Sequence, residues 1–346
     1  MAGGIGKRCW PLSNKTLPKQ FHTLGSSKAS LLQLTAARFQ NIIPPENIWI
    51  VIQQEYKKLV QQQLPFLNED QILCEPMVKN TAPCIGYACY KIAQKAPSAT
   101  IVISPADHAI KHTTLFQKMI QKGLEGVHQN IPLIVVGATC TTPATGYGYI
   151  ELARRGGSSP LQAVHSFTEK PNCEEAQAYI ATGSYLWNTG ILISKVTTLL
   201  DLYRQHLPSV SKAFESGIHL LGTPEEAAFI KNSYALFSNI SFDYGILEKS
   251  DGLYALHYES DWSDLGTWSS LYDYATHDKQ GNVTHGKIAT LATKNCMIHT
   301  TSTHLIATYG VEDLVIVQHD GITMICPQKE VQNIKKLVDY ITDEVQ

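Results

Sequence analysis

Several features that would place the chain in common classes of protein are missing from its sequence. The 28 lysines and arginines nearly balance the 30 aspartates and glutamates, giving a formal net charge of −2. Without a strong positive charge, the chain has no overall field to attract nucleic acid or an anionic membrane. No apolar run approaches the ~20 residues that a membrane-spanning helix needs. The N-terminus is glycine-rich and polar, so we expect no signal peptide.

The cysteines lack the spacing of a metal or redox motif. No two of the eight form a C-x-x-C pair, so neither a zinc ribbon nor a redox motif is predicted. Reduced cysteines are typical of cytoplasmic proteins, and we therefore expect a cytoplasmic location. The cysteines are Cys9, Cys74, Cys84, Cys89, Cys140, Cys173, Cys296 and Cys326.

Two common phosphate-binding loops can be excluded at the N-terminus. A P-loop requires Gly, four residues, then Gly-Lys and Ser or Thr, whereas Gly6-Lys7 is followed by Arg8. A dinucleotide-binding loop requires G-x-G-x-x-G, and Cys9 occupies the place of the third glycine. The N-terminal glycines therefore belong to neither loop.

Residues 1–21, MAGGIGKRCWPLSNKTLPKQF, nevertheless have the composition of a polyphosphate site. Three glycines in four positions let the backbone approach a ligand closely, and free amide groups in such a turn bind anions. Arginine gives phosphate a forked contact and lysine a mobile point charge. We predict that this stretch cradles a polyphosphate; the alternative is a flexible glycine-rich terminus.

AGGIGKRCWPLS followed by LPKQF resembles the signature of sugar-1-phosphate nucleotidyltransferases. The likeness is closest to the mannose-1-phosphate guanylyltransferases, which make GDP-mannose, and it continues through GVEDLVIV and NIKKLVDYI near the C-terminus. That family places an apolar strand directly before the glycines, whereas this chain begins at Met1. Bifunctional relatives carry an additional isomerase domain, which would have to follow Gln346, the last residue of this sequence. We therefore expect the monofunctional form.

Short apolar strands alternate with helical stretches in the first part of the chain. The runs IWIVI, TIVIS and PLIVVG read as buried strands, and the alternation predicts an α/β sheet with right-handed crossovers. Ligands bind such sheets at the carboxyl ends of the strands. The resemblance implies a Rossmann-like doubly wound mixed sheet, the nucleotide-diphospho-sugar transferase fold.

The character of the sequence changes after Trp268. Short strands broken by turns run from Gly286 to Ile325, which predicts a small β-helix-like unit. An amphipathic helix then ends the chain. We predict a catalytic domain at residues 1–275 and a C-terminal unit at residues 276–346.

Two separate motifs carry the carboxylates of a candidate metal site. Asp107 follows a buried strand, where an exposed carboxylate is well placed to hold Mg²⁺ against a triphosphate. Asp264 lies in DWSDLGTW, which resembles the family's W-S-D-x-G-S/T-W motif. Alone, Asp107 could cap a helix and Asp264 could form a turn. The resemblance implies that both are Mg²⁺ ligands.

The sequence Glu75-Pro76, followed by KNTAP, is a candidate base-recognition loop. A carboxylate at Glu75 can accept hydrogen bonds from both N1–H and the 2-amino group of guanine, which adenine cannot offer. The alternative is a helix start, with Asn80 or Thr81 as the N-cap and Pro83 in the first turn. The resemblance places this loop over the base, so both interpretations are kept.

Three motifs resemble the sugar-phosphate site of the family. FTEKP resembles F-V-E-K-P, which implies that Lys170 contacts the sugar phosphate and Glu169 the sugar hydroxyls; the alternative is a solvated charge pair at a strand end. GYGY and WNTG match sugar-binding loops, and SFDY resembles S-I-D-Y. The sugar-binding candidates are Gly148, Glu169, Asn188 and Asp243.

Together these resemblances imply the activity of a mannose-1-phosphate guanylyltransferase, which forms GDP-mannose from GTP and mannose 1-phosphate, with Mg²⁺ as cofactor. Its product would serve polysaccharide biosynthesis, and we expect a homodimer. The alternatives are a nucleotidyltransferase for another NTP or hexose 1-phosphate, a non-catalytic sugar-nucleotide sensor, and a structural subunit. The predicted catalytic residues are Arg8, Lys19 and Lys170. The predicted nucleotide-binding residues are Ala2, Gly3, Gly4, Gly6, Glu75, Asn80, Thr81 and Pro83.

Overall fold

The structure is a computed structural model that describes residues 1–4, 6–23, 27–153 and 160–344. Its contacts divide the chain into two compact units, which are described separately below. Unit 1 comprises Met1–Gly3, Ala36–Ala106 and Ile110–Trp262, and unit 2 comprises Gly4–Thr35, Asp107–Ala109 and Ser263–Gln346. Each unit combines separate stretches of the chain, whereas the predicted domains are continuous and meet after residue 275. The predicted boundary therefore stays a prediction.

Helices and strands alternate through much of the described chain. The α-helices are α1 (Leu31–Phe39), α2 (Lys57–Gln63), α3 (Thr81–Lys95), α4 (Thr113–His128), α5 (Cys173–Thr182), α6 (Val196–His206), α7 (Pro208–Glu215), α8 (Glu226–Leu236), α9 (Phe242–Gly245), α10 (Trp268–Tyr274) and α11 (Ile334–Glu344). The strands are β1 (Ile50–Gln53), β2 (Ile72–Glu75), β3 (Thr100–Ile103), β4 (Ala109–Ile110), β5 (Leu133–Thr139), β6 (Gly148–Leu152), β7 (Leu161–Glu169), β8 (Tyr185–Lys195), β9 (Leu253–Tyr258), β10 (Trp262–Ser263), β11 (Val283–His285), β12 (Ile288–Leu291), β13 (Met297–Thr300), β14 (Ile306–Tyr309), β15 (Leu314–His319) and β16 (Ile322–Pro327). Short 3-10 helices lie at Lys7–Cys9, Lys19–Phe21, Pro45–Asn47, Gln54–Tyr56, Glu69–Gln71, Ile218–Leu220, Leu247–Lys249 and Gln328–Asn333.

Unit 1 is built on a mixed sheet of six strands in the order β3-β8-β5-β9-β7-β6. β5 and β9 run parallel, whereas β8 pairs antiparallel with β3, β5 and β6. The central strands β8, β5 and β9 carry buried Ile, Val or Leu side chains, as expected for strands that are covered on both faces. The predicted α/β class and mixed sheet are confirmed.

A smaller parallel sheet in unit 1 contains β1 and β2. The first residues of the chain lie against it, because the amide of Ala2 donates to the Val51 carbonyl at 2.9 Å. The terminal ammonium of Met1 donates to the Ser104 carbonyl at 3.0 Å, and the Ala106 amide donates to the Met1 carbonyl at 2.9 Å. These bonds fix the start of the glycine-rich stretch beside the end of β3.

Unit 2 contains a coil of short parallel strands. β11, β13 and β15 pair side by side, and β16 returns antiparallel to β15. Two of the pairings, 288 with 306 and 297 with 315, each join residues 18 positions apart. A repeat of this kind is the geometry of a β-helix, in which each coil buries the face of the next. The predicted β-helix-like unit and terminal helix are confirmed.

The core of unit 2 draws on both ends of the chain. Trp268 is fully buried, and its indole N–H donates to the Trp10 carbonyl at 3.0 Å. Around it lie side chains from the N-terminal segment and from the coil. They include Cys9, Leu12, Leu31, Leu265, Val283, Met297, Val315, Val317 and Ile334.

The buried His299 pairs with the half-buried His285 beside the same core. The rings of His285 and His299 stack with centroids 4.5 Å apart, and His299 also contacts Trp268. Nε2 of His299 has no hydrogen-bond partner in the described part of the chain. Burial, reinforced by the neighbouring His285, His22 and His319, lowers the pKa of His299 to about 3.

We expect the contribution of His299 to the free energy of unfolding to fall between pH 6.5 and pH 4.5. The unfolded chain takes up a proton at His299 near pH 6.5, whereas the folded chain resists protonation down to about pH 3. This difference costs about 1.4 kcal/mol for each pH unit below 6.5, or about 2.7 kcal/mol at pH 4.5. Urea unfolding across this range measures it as the difference in free energy of unfolding between His299→Phe and the unaltered protein, which should shift in favour of the variant as pH falls. The exposed His304 is the control, and an equal pH-dependent shift in His304→Asn would contradict the assignment.

Among the described residues, no helix combines the length and the apolar character that crossing a membrane requires.

Candidate active site

The glycine-rich loop of unit 2 turns sharply at Gly6. Gly6 has φ 75°, a left-handed conformation that favours glycine, and the 3-10 helix Lys7–Cys9 follows it. A Cβ at position 6 would lie only 2.7 Å from Cβ of Lys19. Gly4 has open space around it, and Ile5 between them lies outside the described residues.

Gly6→Ala is expected to destabilise the protein by about 1–2 kcal/mol. Alanine is strained in the left-handed backbone conformation, and its Cβ would crowd Lys19. Gly4→Ala is the matched control and should leave the free energy of unfolding unchanged, since no atom lies within 4 Å of its Cβ position. Urea unfolding of both variants measures the difference. Equal stabilities would show that the turn at Gly6 is not constrained.

Lys19 is buried in unit 2, only 4% exposed. Its Nζ lies 2.7 Å from Oδ2 of Asp107 and donates to the carbonyl oxygens of Asp264, at 2.6 Å, and Leu265, at 3.3 Å. An ammonium group has three donors, and these contacts account for them. Lys19 therefore joins the two segments that carry the predicted metal carboxylates. Its predicted contact with pyrophosphate stays a prediction.

The carboxylate of Asp107 is ionised at neutral pH. Burial alone would raise the pKa of this carboxyl, but the charge of Lys19, aided by His108, outweighs burial and holds the pKa below its ordinary value. The side chain keeps 33% of its surface exposed, so a ligand can reach it. The predicted alternative, a cap on the next helix, is not what the structure shows: the N-cap of α4 is His112.

Asp264 and Arg8 flank Gly266. Oδ1 of Asp264 accepts the Gly266 amide at 2.9 Å. A Cβ on Gly266 would lie 2.5 Å from Oδ2 of Asp264 and 3.2 Å from Nη2 of Arg8. The arginine and the carboxylate are therefore close neighbours, and Arg8 is exposed. The turn expected as the alternative for Asp264 is present, and the metal role of this residue stays a prediction.

Asp107 and Asp264 fit a divalent cation of the Mg²⁺ type. Such ions take oxygen ligands and are usually held by one or two carboxylates together with substrate phosphates and water. In the described residues, no set of three or more His, Cys, Asp or Glu side chains could hold a metal by itself. The donor set therefore fits a metal that arrives with a phosphate ligand.

The base-recognition candidates lie in unit 1. Glu75 ends β2 and is 5% exposed, and its Oε1 accepts the Tyr234 hydroxyl at 3.1 Å. Oε2 lies 3.2 Å from the Cβ position of Gly3, whose carbonyl accepts Nε2 of Gln53 at 2.5 Å. Glu75 and Gly3 are therefore adjacent, as a shared nucleotide site requires.

Residues 80–83 form the predicted helix start. Asn80 has φ 69°, and its side chain accepts the Thr81 amide at 2.9 Å as the N-cap of α3. The Thr81 hydroxyl accepts the Phe242 amide at 2.8 Å, and Pro83 lies in the first turn. The helix-start interpretation is confirmed, and contact of Asn80, Thr81 and Pro83 with a base stays a prediction.

Two contacts organise the sugar-phosphate candidates of unit 1. Lys170 has φ 50°, a conformation that is strained for a non-glycine residue and found often at functional sites. Its Nζ pairs with the carboxylate of Glu169, which is 7% exposed. A Cβ on Gly148 would lie 2.5 Å from Oε2 of Glu169, so only glycine admits that carboxylate. The solvated charge pair expected as the alternative is wrong for Glu169, which is buried.

Asn188 and Asp243 meet at the same end of the sheet. Nδ2 of Asn188 donates to Oδ1 of Asp243 at 2.8 Å. Burial raises the pKa of Asp243 and that of Glu169. The sequence interpretation of residues 187–190 as a loop is wrong, because they lie inside β8.

Sequence reasoning missed two side chains that support these groups. Tyr234 on α8 bonds to Glu75, and Oε1 of Glu248 accepts the Glu169 amide at 2.8 Å. Neither lies in a recognisable motif. The only available signal was the position of Glu248 five residues after Asp243.

Comparison with known proteins places most of the chain in a known family. Residues 1–281 match the family described as nucleotidyl transferase, and residues 286–341 match the MannoseP isomerase/GMP-like beta-helix domain. The mannose-1-phosphate guanylyltransferase of Salmonella montevideo is 34% identical over 357 residues, which cover 99% of this chain and 73% of that protein. That of Escherichia coli K12 is 32% identical over 354 residues, covering 99% and 72%.

The chain belongs to the mannose-1-phosphate guanylyltransferase family of nucleotidyl transferases. A crystal structure of mannose-1-phosphate geranyltransferase from Thermus thermophilus is 28% identical, with a TM-score of 0.88 over 99% of this chain and 98% of that one. Nucleotidyl transferases generally use a divalent metal and act on a nucleotide and a sugar phosphate. That Asp107 and Asp264 hold such a metal in this member of the guanylyltransferase family stays a prediction.

Proposed function

We propose that the chain catalyses the formation of GDP-mannose and pyrophosphate from GTP and mannose 1-phosphate. The observation that carries the proposal is the arrangement of Asp107 and Asp264 around the buried Lys19, beside the glycine loop. A protein that only binds sugar nucleotides does not need such a charged cluster. The similarity to guanylyltransferases over 99% of the chain supports the same conclusion.

The proposed reaction is an in-line displacement at phosphorus. An oxygen of the mannose 1-phosphate attacks the α-phosphorus of GTP, the new P–O bond forms, and the bond to pyrophosphate breaks. The nucleophile is already anionic, so no proton transfer is required. Catalysis is then positioning and charge neutralisation.

The charged residues have separate tasks in this reaction. Arg8, with the amides of the glycine loop, would bind the phosphates of GTP, and Lys19 would keep Asp107 and Asp264 in place. Lys170 would offset the charge of the sugar phosphate, while Glu169, Asn188 and Asp243 would bind its hydroxyls. Asp107 and Asp264 would hold Mg²⁺, which supplies positive charge at the triphosphate when it is bound.

Release of pyrophosphate from mannose 1-phosphate with each NTP in turn, with Mg²⁺ present, tests the proposal. Release with GTP alone supports the guanylyl assignment. Release with another NTP would keep the chemistry and replace the base. Binding of GTP without any release would favour the alternative of a sugar-nucleotide sensor.

Glu75→Gln is expected to lower the preference for GTP over ITP by roughly 10- to 100-fold, which is the value of a hydrogen bond to a charged group. ITP keeps N1–H but lacks the 2-amino group, so the ratio of kcat/KM for the two substrates reports the contact with that group. KM for mannose 1-phosphate serves as the control and should stay unchanged. An unchanged GTP/ITP ratio would remove Glu75 from base selection.

The predicted homodimer is also a proposal. It is supported by Leu291 and Tyr309, which pair across β12 and β14 and are 67% and 76% exposed. Adjacent exposed apolar side chains favour association. Sedimentation should give twice the mass of the chain, falling to the single mass in Leu291→Lys/Tyr309→Lys. A single mass for the unaltered protein would contradict the proposal. The monofunctional form and the cytoplasmic location stay predictions.

A further inference from the structure

A buried tyrosine far from the family motifs lies against the candidate base-reading carboxylate. Tyr234 on α8 is fully buried, and its hydroxyl donates to Oε1 of Glu75, 159 positions earlier in the chain, at 3.1 Å. A phenol group in an apolar core requires a hydrogen-bond partner. Glu75 is that partner, and the bond joins the end of β2 to a helix whose sequence gives no indication of a nucleotide site.

The packing of Tyr234 leaves its hydroxyl little freedom. Its ring contacts Phe237, with centroids 5.2 Å apart, and Phe237 contacts Phe214 in the same way at 5.1 Å. These side chains belong to one buried core, in which close packing holds each ring in a single rotamer. The hydroxyl is therefore directed at Oε1 by the fold itself.

The two oxygens of Glu75 consequently differ. Oε1 is bonded to Tyr234, whereas Oε2 lies 3.2 Å from the Cβ position of Gly3 in the predicted nucleotide stretch. Burial raises the pKa of Glu75 to about 7, and Tyr234, the Met1 ammonium and Cys84 act in the opposite direction. The charge of the carboxylate near neutral pH thus depends on the few polar groups that surround it.

We infer that Tyr234 is a positioning residue for base selection, which fixes Glu75 through Oε1 and directs Oε2 toward the N1–H and 2-amino group of guanine. The inference rests on the proposed function, since it assigns the base of that same nucleotide. Tyr234 is too deeply buried to touch the substrate. Its effect passes through the orientation and the ionisation of Glu75.

The test is calorimetric GTP binding between pH 6 and pH 9 for the full chain, Tyr234→Phe and Tyr203→Phe. Tyr203 is the matched control, because it is equally buried in the same core and donates to the Ala82 carbonyl at 2.6 Å. In the unaltered chain, affinity should fall as pH falls through about 7, when Glu75 gains a proton. Tyr234→Phe should move this acid limb, the pH range over which affinity falls, upward by about one pH unit and weaken binding at pH 7 about fivefold.

Glu75→Gln provides a second variant that keeps the shape of the site and should show no acid limb. If Tyr234→Phe fails to fold, this flat profile still links the limb to Glu75, and a limb that persists in Glu75→Gln overturns the inference. An unshifted limb in Tyr234→Phe, or an equal shift in Tyr203→Phe, also overturns it. Because binding is measured without turnover, a chain that shows the expected limb but releases no pyrophosphate would defeat the proposed function and not the role of Tyr234.

Discussion

Asp107→Asn and Asp264→Asn are each expected to lower the rate of GDP-mannose formation by about 10²–10³-fold. The amide keeps the size of the side chain but cannot offer an anionic oxygen to a divalent metal. Asp107 is ionised at neutral pH because Lys19 offsets its burial. Pyrophosphate release at saturating substrates measures the rate, and titration with Mg²⁺ should show a higher requirement in both variants.

Asp261→Asn is the matched control for these two variants. Asp261 lies in the same segment as Asp264, is 57% exposed, and has Lys111 3.7 Å away. The change removes the same charge from the surface and should leave the rate within about twofold. Normal turnover in Asp107→Asn would remove that residue from the metal site, and an equal loss in Asp261→Asn would show that general surface charge controls the rate.

Lys19→Met is expected to lower the free energy of unfolding by about 3 kcal/mol and to abolish turnover. Breaking a buried ion pair leaves an uncompensated charge and typically costs 3–5 kcal/mol. The lower end applies because the partner, Asp107, keeps 33% of its side chain exposed. The carbonyls of Asp264 and Leu265 lose their donor as well. Urea unfolding and pyrophosphate release measure the two effects.

The double variant Lys19→Met/Asp107→Asn separates stability from catalysis. It leaves no unpaired charge, so it should unfold at a higher urea concentration than Lys19→Met alone while remaining inactive. If the two losses of stability were simply additive, the contact between Lys19 and Asp107 would contribute little. Recovery of turnover in the double variant would contradict the assignment of Asp107 to the metal.

The sequence indicated those parts of the site that short motifs encode. The glycine loop and the segments around Asp107 and Asp264 are each short motifs, and their resemblance to the family's motifs, more than their composition alone, made them site candidates. For the cap at Asn80, the residue type and its position before α3 are the whole signal.

The role of Lys19 could not be read in this way. A lysine behind proline in a glycine-rich segment suggests a phosphate ligand, but its partners are Asp107 and the carbonyl of Asp264, which lies 245 positions away. Tyr234 and Glu75 are separated by 159 positions. Contacts between such distant residues are set by the packing of the whole unit, and a single sequence does not show them.

Residues 187–190 illustrate a different difficulty. Trp-Asn-Thr-Gly has the composition of a turn, yet these residues continue a strand of 11 residues. Trp187 and Asn188 pair with residues of β5 and β6, and this pairing overrides local preference. Gly190 keeps φ 69° within the strand, which local sequence rules assign to a turn.

The shared core of unit 2 has a consequence for biosynthesis. The side chains that cover Cys9 and Leu12 include Trp268, Val283 and Val315, which the ribosome makes long after the N-terminal segment has emerged. At about 5–20 residues per second, that interval lasts roughly 15–60 s. The glycine-rich loop, which is translated well before these partners, is therefore among the last parts of unit 2 to reach its final packing.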